Sequence, residues 1–238
     1  MTIDLSRYGL EGADKAAELK LIGKAPIFKG AVNLLYAPPG YGKTWNTASM
    51  LGQLAPEHKH VLIDSDGSNG IEFVDFCKRY GTTYINLHRA IEIIDKKSWG
   101  ANGVKSDLER VIDIIERMAD EVDLFIIDSF GSVNGSGEIN NAEKVAPTLY
   151  RLNHLAEKYD IGILLIDHAT MESRAKKMDA FKIEGNASGK KKACACVIKF
   201  LPMGEADKGG EFIIEKSRNF NLLKPGQAVK VKQRGGEI

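Results

Sequence analysis

The chain has 238 residues, 43% of them hydrophobic and 27% charged, which excludes wholesale disorder and suffices for one α/β core. Lys and Arg number 33 against 32 Asp and Glu, a formal net charge of +1, so any contact with a polyanion must come from local patches. Three cysteines exclude a disulfide framework, and Cys194-Ala195-Cys196 lacks the C-x-x-C spacing of a redox or zinc site. A reducing, cytoplasmic setting follows as the expectation. The opening Met1-Thr2-Ile3-Asp4 carries no signal pattern. No apolar run approaches the roughly 18 residues of a membrane span, so no membrane partner is expected.

A polar segment over 1–28 precedes a single domain over 29–238. Residues 32–36 form a short apolar run backed by Pro38, Pro39 and Gly40, which reads as a buried strand. Residues 43–54 read as a helix, 60–64 as a strand ending in acid, 71–79 as a helix and 84–87 as a third strand. A polar loop is expected over 95–105. Leu108, Val111, Ile112, Ile115 and Met118 recur at helical spacing. Residues 123–128 form a fourth strand ending in Asp128, and 130–141 a loop rich in Gly and Asn. A helix is expected over 142–159, a strand over 161–167 and a long polar stretch over 169–192. Short strands at 197–201, 211–215 and 228–232 suggest an antiparallel edge. The alternation predicts an α/β fold, a parallel sheet flanked by helices, with ligands beyond the carboxyl ends of the strands.

Ala37-Pro38-Pro39-Gly40-Tyr41-Gly42-Lys43-Thr44 follows a strand and opens a helix. That is the setting of a phosphate-binding loop, whose inward N–H groups cradle phosphate oxygens. Pro39 to Trp45 would line a nucleotide, with Lys43 on the β/γ-phosphates and the Thr44 hydroxyl on Mg²⁺. Ala37 stands where the motif usually begins with Gly. Asp128 is the expected second Mg²⁺ ligand, a Walker B aspartate. Ser129 follows it, so the Glu that many ATPases carry there as base is absent. The alternative is a carboxylate ending the strand after the loop helix, which Asp64-Ser65-Asp66 supplies.

With these motifs the sequence resembles the RecA-like ATPases over roughly residues 28–222. The resemblance implies a RecA-like sheet with an antiparallel C-terminal edge. Asp66 falls where the family carries its water-activating Glu, and Asp64 is the second choice. His168, after Leu164-Leu165-Ile166-Asp167, matches the γ-phosphate sensor of DnaB- and RepA-like helicases. Lys216-Ser217-Arg218-Asn219 matches the pattern whose Lys and Arg reach a neighbouring subunit's nucleotide. Two loops, at 130–141 and 169–192, would face single-stranded DNA. The second holds seven basic and three acidic residues, and Arg174, Lys176, Lys177, Lys190, Lys191 and Lys192 are its candidate phosphate contacts.

The resemblance implies a homo-oligomeric ring or filament that uses ATP and Mg²⁺. The main reading is a hexameric replicative helicase or translocase of a phage or plasmid, working with replication or recombination proteins in the bacterial cytoplasm. A phage RecA-type recombinase or strand-annealing ATPase is the first alternative. A KaiC-like ATP switch without DNA is the second.

Overall fold

The computed structural model describes residues 19–67, 71–88, 106–134, 142–171, 181–185, 187–204 and 209–232. In chain order the elements are β1 (Ala31–Ala37), α1 (Lys43–Leu54), β2 (His60–Asp64), α2 (Ile71–Arg79), β3 (Thr82–Asn86) and α3 (Asp107–Met118). There follow β4 (Leu124–Asp128), α4 (Phe130–Val133), α5 (Ala142–Tyr159), β5 (Gly162–Met171) and β6 (Phe181–Ile183). The last are α6 (Ala187–Ala193), β7 (Cys196–Pro202), β8 (Gly209–Ser217) and β9 (Ala228–Lys232).

The strands form one sheet in the order β3-β2-β4-β5-β1-β7-β8-β9, with β6 paired to β5. Every pair from β3 to β7 along that path is parallel, while β7–β8 and β8–β9 are antiparallel. The expected α/β architecture with an antiparallel C-terminal edge is therefore present. β1, β2 and β4 are buried at every position, which is why they read as unbroken apolar runs rather than as alternating ones. Parallel strands need crossovers, and the helices that supply them bury one stripe each. In α3 that stripe is Val111, Ile112, Ile114 and Ile115. A reciprocal Ser106–Glu109 capping box starts this helix.

The packed unit extends upstream of residue 29. Ile22, Ala25, Ile27 and Phe28 are fully buried in the main core, and Leu21 bridges to Phe28. Gly162 makes room for them, since a Cβ there would lie 2.5 Å from Ile22 Cδ1.

Of the long polar stretch expected over 169–192, residues 172–180 and 186 lie outside the described residues, and the described parts are largely ordered elements rather than loop. β5 runs on to Met171, β6 returns antiparallel to it, and α6 follows. Lys190 of α6 is buried while Lys182 and Lys192 are exposed, so a polar composition hides ordered elements. Of the loop expected over 130–141, Phe130–Val133 form a helical turn. Asn134 caps that turn, while residues 135–141 and the polar loop expected over 95–105 fall outside the described residues. No helix among the described residues is long and apolar enough to cross a membrane.

His60 opens β2 with 2% of its surface exposed, and neither ring nitrogen has a hydrogen-bond partner. Burial, and then the neighbouring His58, push its pKa from 6.5 down to about 4. Unfolding therefore takes up a proton between those values, and the stability owed to neutral His60 is lost as pH falls through that window. Denaturant titrations of wild type and His60→Leu at pH 7.5 and 4.5 test this. The wild type should lose up to about 3 kcal/mol relative to the variant over that drop. Parallel pH dependences would contradict it.

Candidate nucleotide site

Register brings the site together. Ala37 at the end of β1 lies opposite His168 on β5, and Asp64 at the end of β2 lies opposite Asp128 on β4. The loop between β1 and α1 sits above these ends. Gly40 and Gly42 adopt φ of 78° and 72°, a left-handed geometry that glycine takes without strain. Gly42 is the N-cap of α1, with no side-chain cap and no acid in the first turn. The first amides of that helix therefore offer their N–H groups and the positive end of its dipole to an anion.

Lys43 is 6% exposed and folds over its own loop, donating to the carbonyls of Ala37 (3.0 Å) and Pro38 (3.1 Å). Burial lowers its pKa, against the attraction of Asp128, Asp167 and Asp66. Thr44 Oγ1 donates to Asp128 Oδ2 at 2.5 Å. Asp128 is buried, and burial raises its pKa to about 6 against the opposing effects of the Thr44 hydroxyl and Lys43. Pro39 and Gly40 are exposed and Tyr41 is half-buried. The Trp45 ring packs on Phe73 and Phe76 of α2, at 5.0 and 4.4 Å between centroids. Trp45 thus anchors α1, and its backbone N–H is the part that faces a loop-bound anion.

The two acids at the end of β2 have different surroundings. Asp64 is 1% exposed; its Oδ1 accepts the N–H groups of Asp66 (3.0 Å) and Gly67 (2.8 Å), and its Oδ2 accepts the Tyr84 hydroxyl (2.6 Å). These bonds build the turn that aims Asp66 into the site. Asp66 Oδ1 accepts the hydroxyls of Ser129 (3.2 Å) and Ser132. Its Oδ2 faces His168 Nε2 at 4.0 Å, and His168 Nδ1 lies 3.5 Å from Lys43 Nζ. Ser129 and Ser132 were not singled out in the sequence. Ser132 lies one helical turn past β4, and only the tertiary fold brings it to Asp66.

The residues present fit a nucleotide and a divalent cation. A left-handed glycine loop, uncapped helix amides and a buried ammonium match a triphosphate. The Thr44 hydroxyl and Asp128 carboxylate are adjacent oxygen donors of the hard type that Mg²⁺ prefers. Phosphate oxygens and water would complete its shell.

The candidate DNA contacts divide. Arg174, Lys176 and Lys177 lie outside the described residues. Lys190 is corrected from a surface contact to a buried one: it is 1% exposed and its Nζ lies 2.5 Å from Asp167 Oδ2. An ammonium withdrawn in this way cannot reach a phosphate backbone. Lys191 pairs with Glu215 at 2.9 Å, and Lys192 is exposed. Lys216 and Arg218 sit together at the C-terminal end of α6. Lys216 Nζ donates to the carbonyls of Lys191, Lys192 (3.2 Å) and Cys194 (2.7 Å). Arg218 donates to those of Lys192 (3.2 Å) and Ala193 (3.0 Å). Both cations thus complement the negative end of a helix dipole. Burial holds the thiols of Cys77, Cys194 and Cys196 up at about 12, far from a reactive thiolate.

A family model described as an AAA domain matches residues 12–174. The DNA repair and recombination protein RadB of Methanosphaera stadtmanae is 26% identical over 152 residues, covering 61% of this chain and 62% of that protein. The chain thus spans less than two thirds of the length of this curated relative. A crystal structure of the RadB recombinase superposes with a TM-score of 0.54 at 16% identity, over 87% of this chain and 88% of that one. At that identity the likeness is one of fold, and the fold is RecA-like.

The raised pKa of Asp128 makes a stability prediction. Its folded value, about 6, lies above the ordinary 3.8, so ionising it costs the folded state free energy. That cost is absent below pH 3.8 and complete above pH 6. Asp128→Asn should therefore be more stable than wild type by about 3 kcal/mol at pH 7.5 without nucleotide. The gap should close toward pH 4 in thermal melts. An Asn variant less stable at pH 7.5 would contradict this.

Proposed function

The chain belongs to the AAA domain family, and we propose that it is an ATP-hydrolysing recombination protein whose RecA-like ATPase domain assembles with copies of itself on single-stranded DNA. The observation that carries the reading is the convergence of Lys43, Thr44, Asp128, Asp66 and His168 at adjoining strand ends. The loop amides and Lys43 bind the β- and γ-phosphates. Thr44 and Asp128 hold Mg²⁺, which neutralises phosphate charge. Asp66, steadied by Ser129 and Ser132, orients the attacking water and accepts its proton. His168 stands beside Lys43 as the group that senses the γ-phosphate.

Lys216 and Arg218 are the cations offered to a neighbouring copy's nucleotide, which makes turnover depend on assembly. Exposed Lys192, with Arg174, Lys176 and Lys177, is the candidate contact with the DNA backbone. The names of the similar proteins, a recombination protein and a recombinase, favour strand pairing over unwinding. The replicative helicase rests on His168 and the Lys216-x-Arg218-Asn219 pattern.

Paired assays separate the two. The purified protein should anneal or exchange strands with ATP and single-stranded DNA, and should leave a forked duplex closed. Asp66→Asn should retain ATP binding and lose about 10²- to 10⁴-fold in turnover. Lys43→Ala should lose both binding and turnover. Robust fork unwinding without annealing would favour the helicase, and a Lys43→Ala variant with normal turnover would remove the nucleotide assignment.

A further inference from the structure

One lysine at the floor of this site has no part in the chemistry above. Lys190 is among the largest fully buried side chains of the molecule. Its Nζ lies 2.5 Å from Asp167 Oδ2, donates to the Glu184 carbonyl at 2.8 Å and sits 5.6 Å from the centre of the Phe130 ring. Those three partners come from the middle of β5, the turn after β6 and the residue two beyond Asp128. The other oxygen of Asp167 accepts the backbone N–H of His168 at 2.9 Å. The His168 ring, in turn, stands between Lys43 and Asp66.

A charge pair with both members 1% exposed has given up its hydration on both sides, and apolar groups of similar shape would fill the space at no greater cost. Stability alone is therefore a weak reason for it. The pair's position supplies a better one. It fixes β5 where the strand passes the end of β1 and its backbone delivers His168. It also ties them to α6, whose C-terminal carbonyls hold Lys216 and Arg218.

We propose that Lys190 is a positioning residue for hydrolysis: through Asp167 it holds His168 in register with Lys43 and Asp66, and through α6 it links that site to the cations at Lys216 and Arg218. The inference rests on the reading of this site as an ATPase.

The test is the double variant Asp167→Leu/Lys190→Met, which removes both charges and so avoids stranding one in the core. It should melt cooperatively and keep its KM for ATP within about threefold, while kcat falls about tenfold or more. Adding His168→Ala to it should cost nothing further, because both changes remove the same arrangement. A second readout needs no turnover. The His168 imidazole NMR signals, identified by their loss in His168→Ala, should shift in the double variant while those of His58 at the opposite end of the sheet stay in place. A kcat within twofold of wild type, a full additional loss on adding His168→Ala, or unmoved His168 signals would each overturn the proposal. A wild type without ATPase activity would instead sink the function proposed above, and the imidazole signals would still decide the role of Lys190.

Discussion

Parallel pairing in register is the constraint on which the rest of the molecule depends. β1, β5, β4 and β2 run side by side, so their carboxyl ends fall on one edge of the sheet. Ala37 meets His168 across one pair, and Asp64 meets Asp128 across another. A slip of one residue in any pair would turn these side chains to the opposite face. The buried runs of Val, Leu and Ile beneath them leave little room for that slip. The hydrophobic core thereby sets the geometry of groups that take no part in it.

The same edge concentrates charge where water is scarce. Lys43, Asp128, Asp64, Asp167 and Lys190 are all buried. Each is offset by a partner: loop carbonyls for Lys43, Thr44 for Asp128, a turn and Tyr84 for Asp64, and one another for Asp167 and Lys190. Burial pushes the Asp128 carboxyl up to about 6, against the opposing effects of the Thr44 hydroxyl and Lys43. A cation at that oxygen would relieve the penalty. An anion over the loop would likewise replace the carbonyls that Lys43 now contacts. Buried charge and a raised carboxyl pKa at one strand edge are the pattern that functional sites commonly show.

The strands, the main helices and the phosphate loop were legible because they depend on local signals. These are unbroken apolar runs, helical spacing and a glycine-lysine-threonine turn between strand and helix. The choice between Asp64 and Asp66 was not legible, since two acids two residues apart look alike until the turn between them is seen. Tyr84, twenty positions later, occupies Asp64, while Asp66 faces His168. Lys190 was misread for a related reason. In a run of three lysines only the helical phase and the position of Asp167 show which one points inward. The described elements at 181–183 and 187–193 read as loop because lysines in short helices and strands give the same composition as a loop. The pattern at Lys216 and Arg218 is similarly local.

The claim beneath all of this is that Mg²⁺–ATP occupies the loop above β1 with the cation against Asp128. Calorimetric titration of the wild-type protein with preformed Mg²⁺–ATP near pH 6, repeated in buffers of different ionisation enthalpy, tests it most directly. The account predicts saturable binding of one nucleotide per chain, with heats that vary with the buffer because Asp128 releases a fraction of a proton as the cation arrives. An absence of saturable heat at millimolar nucleotide would contradict it.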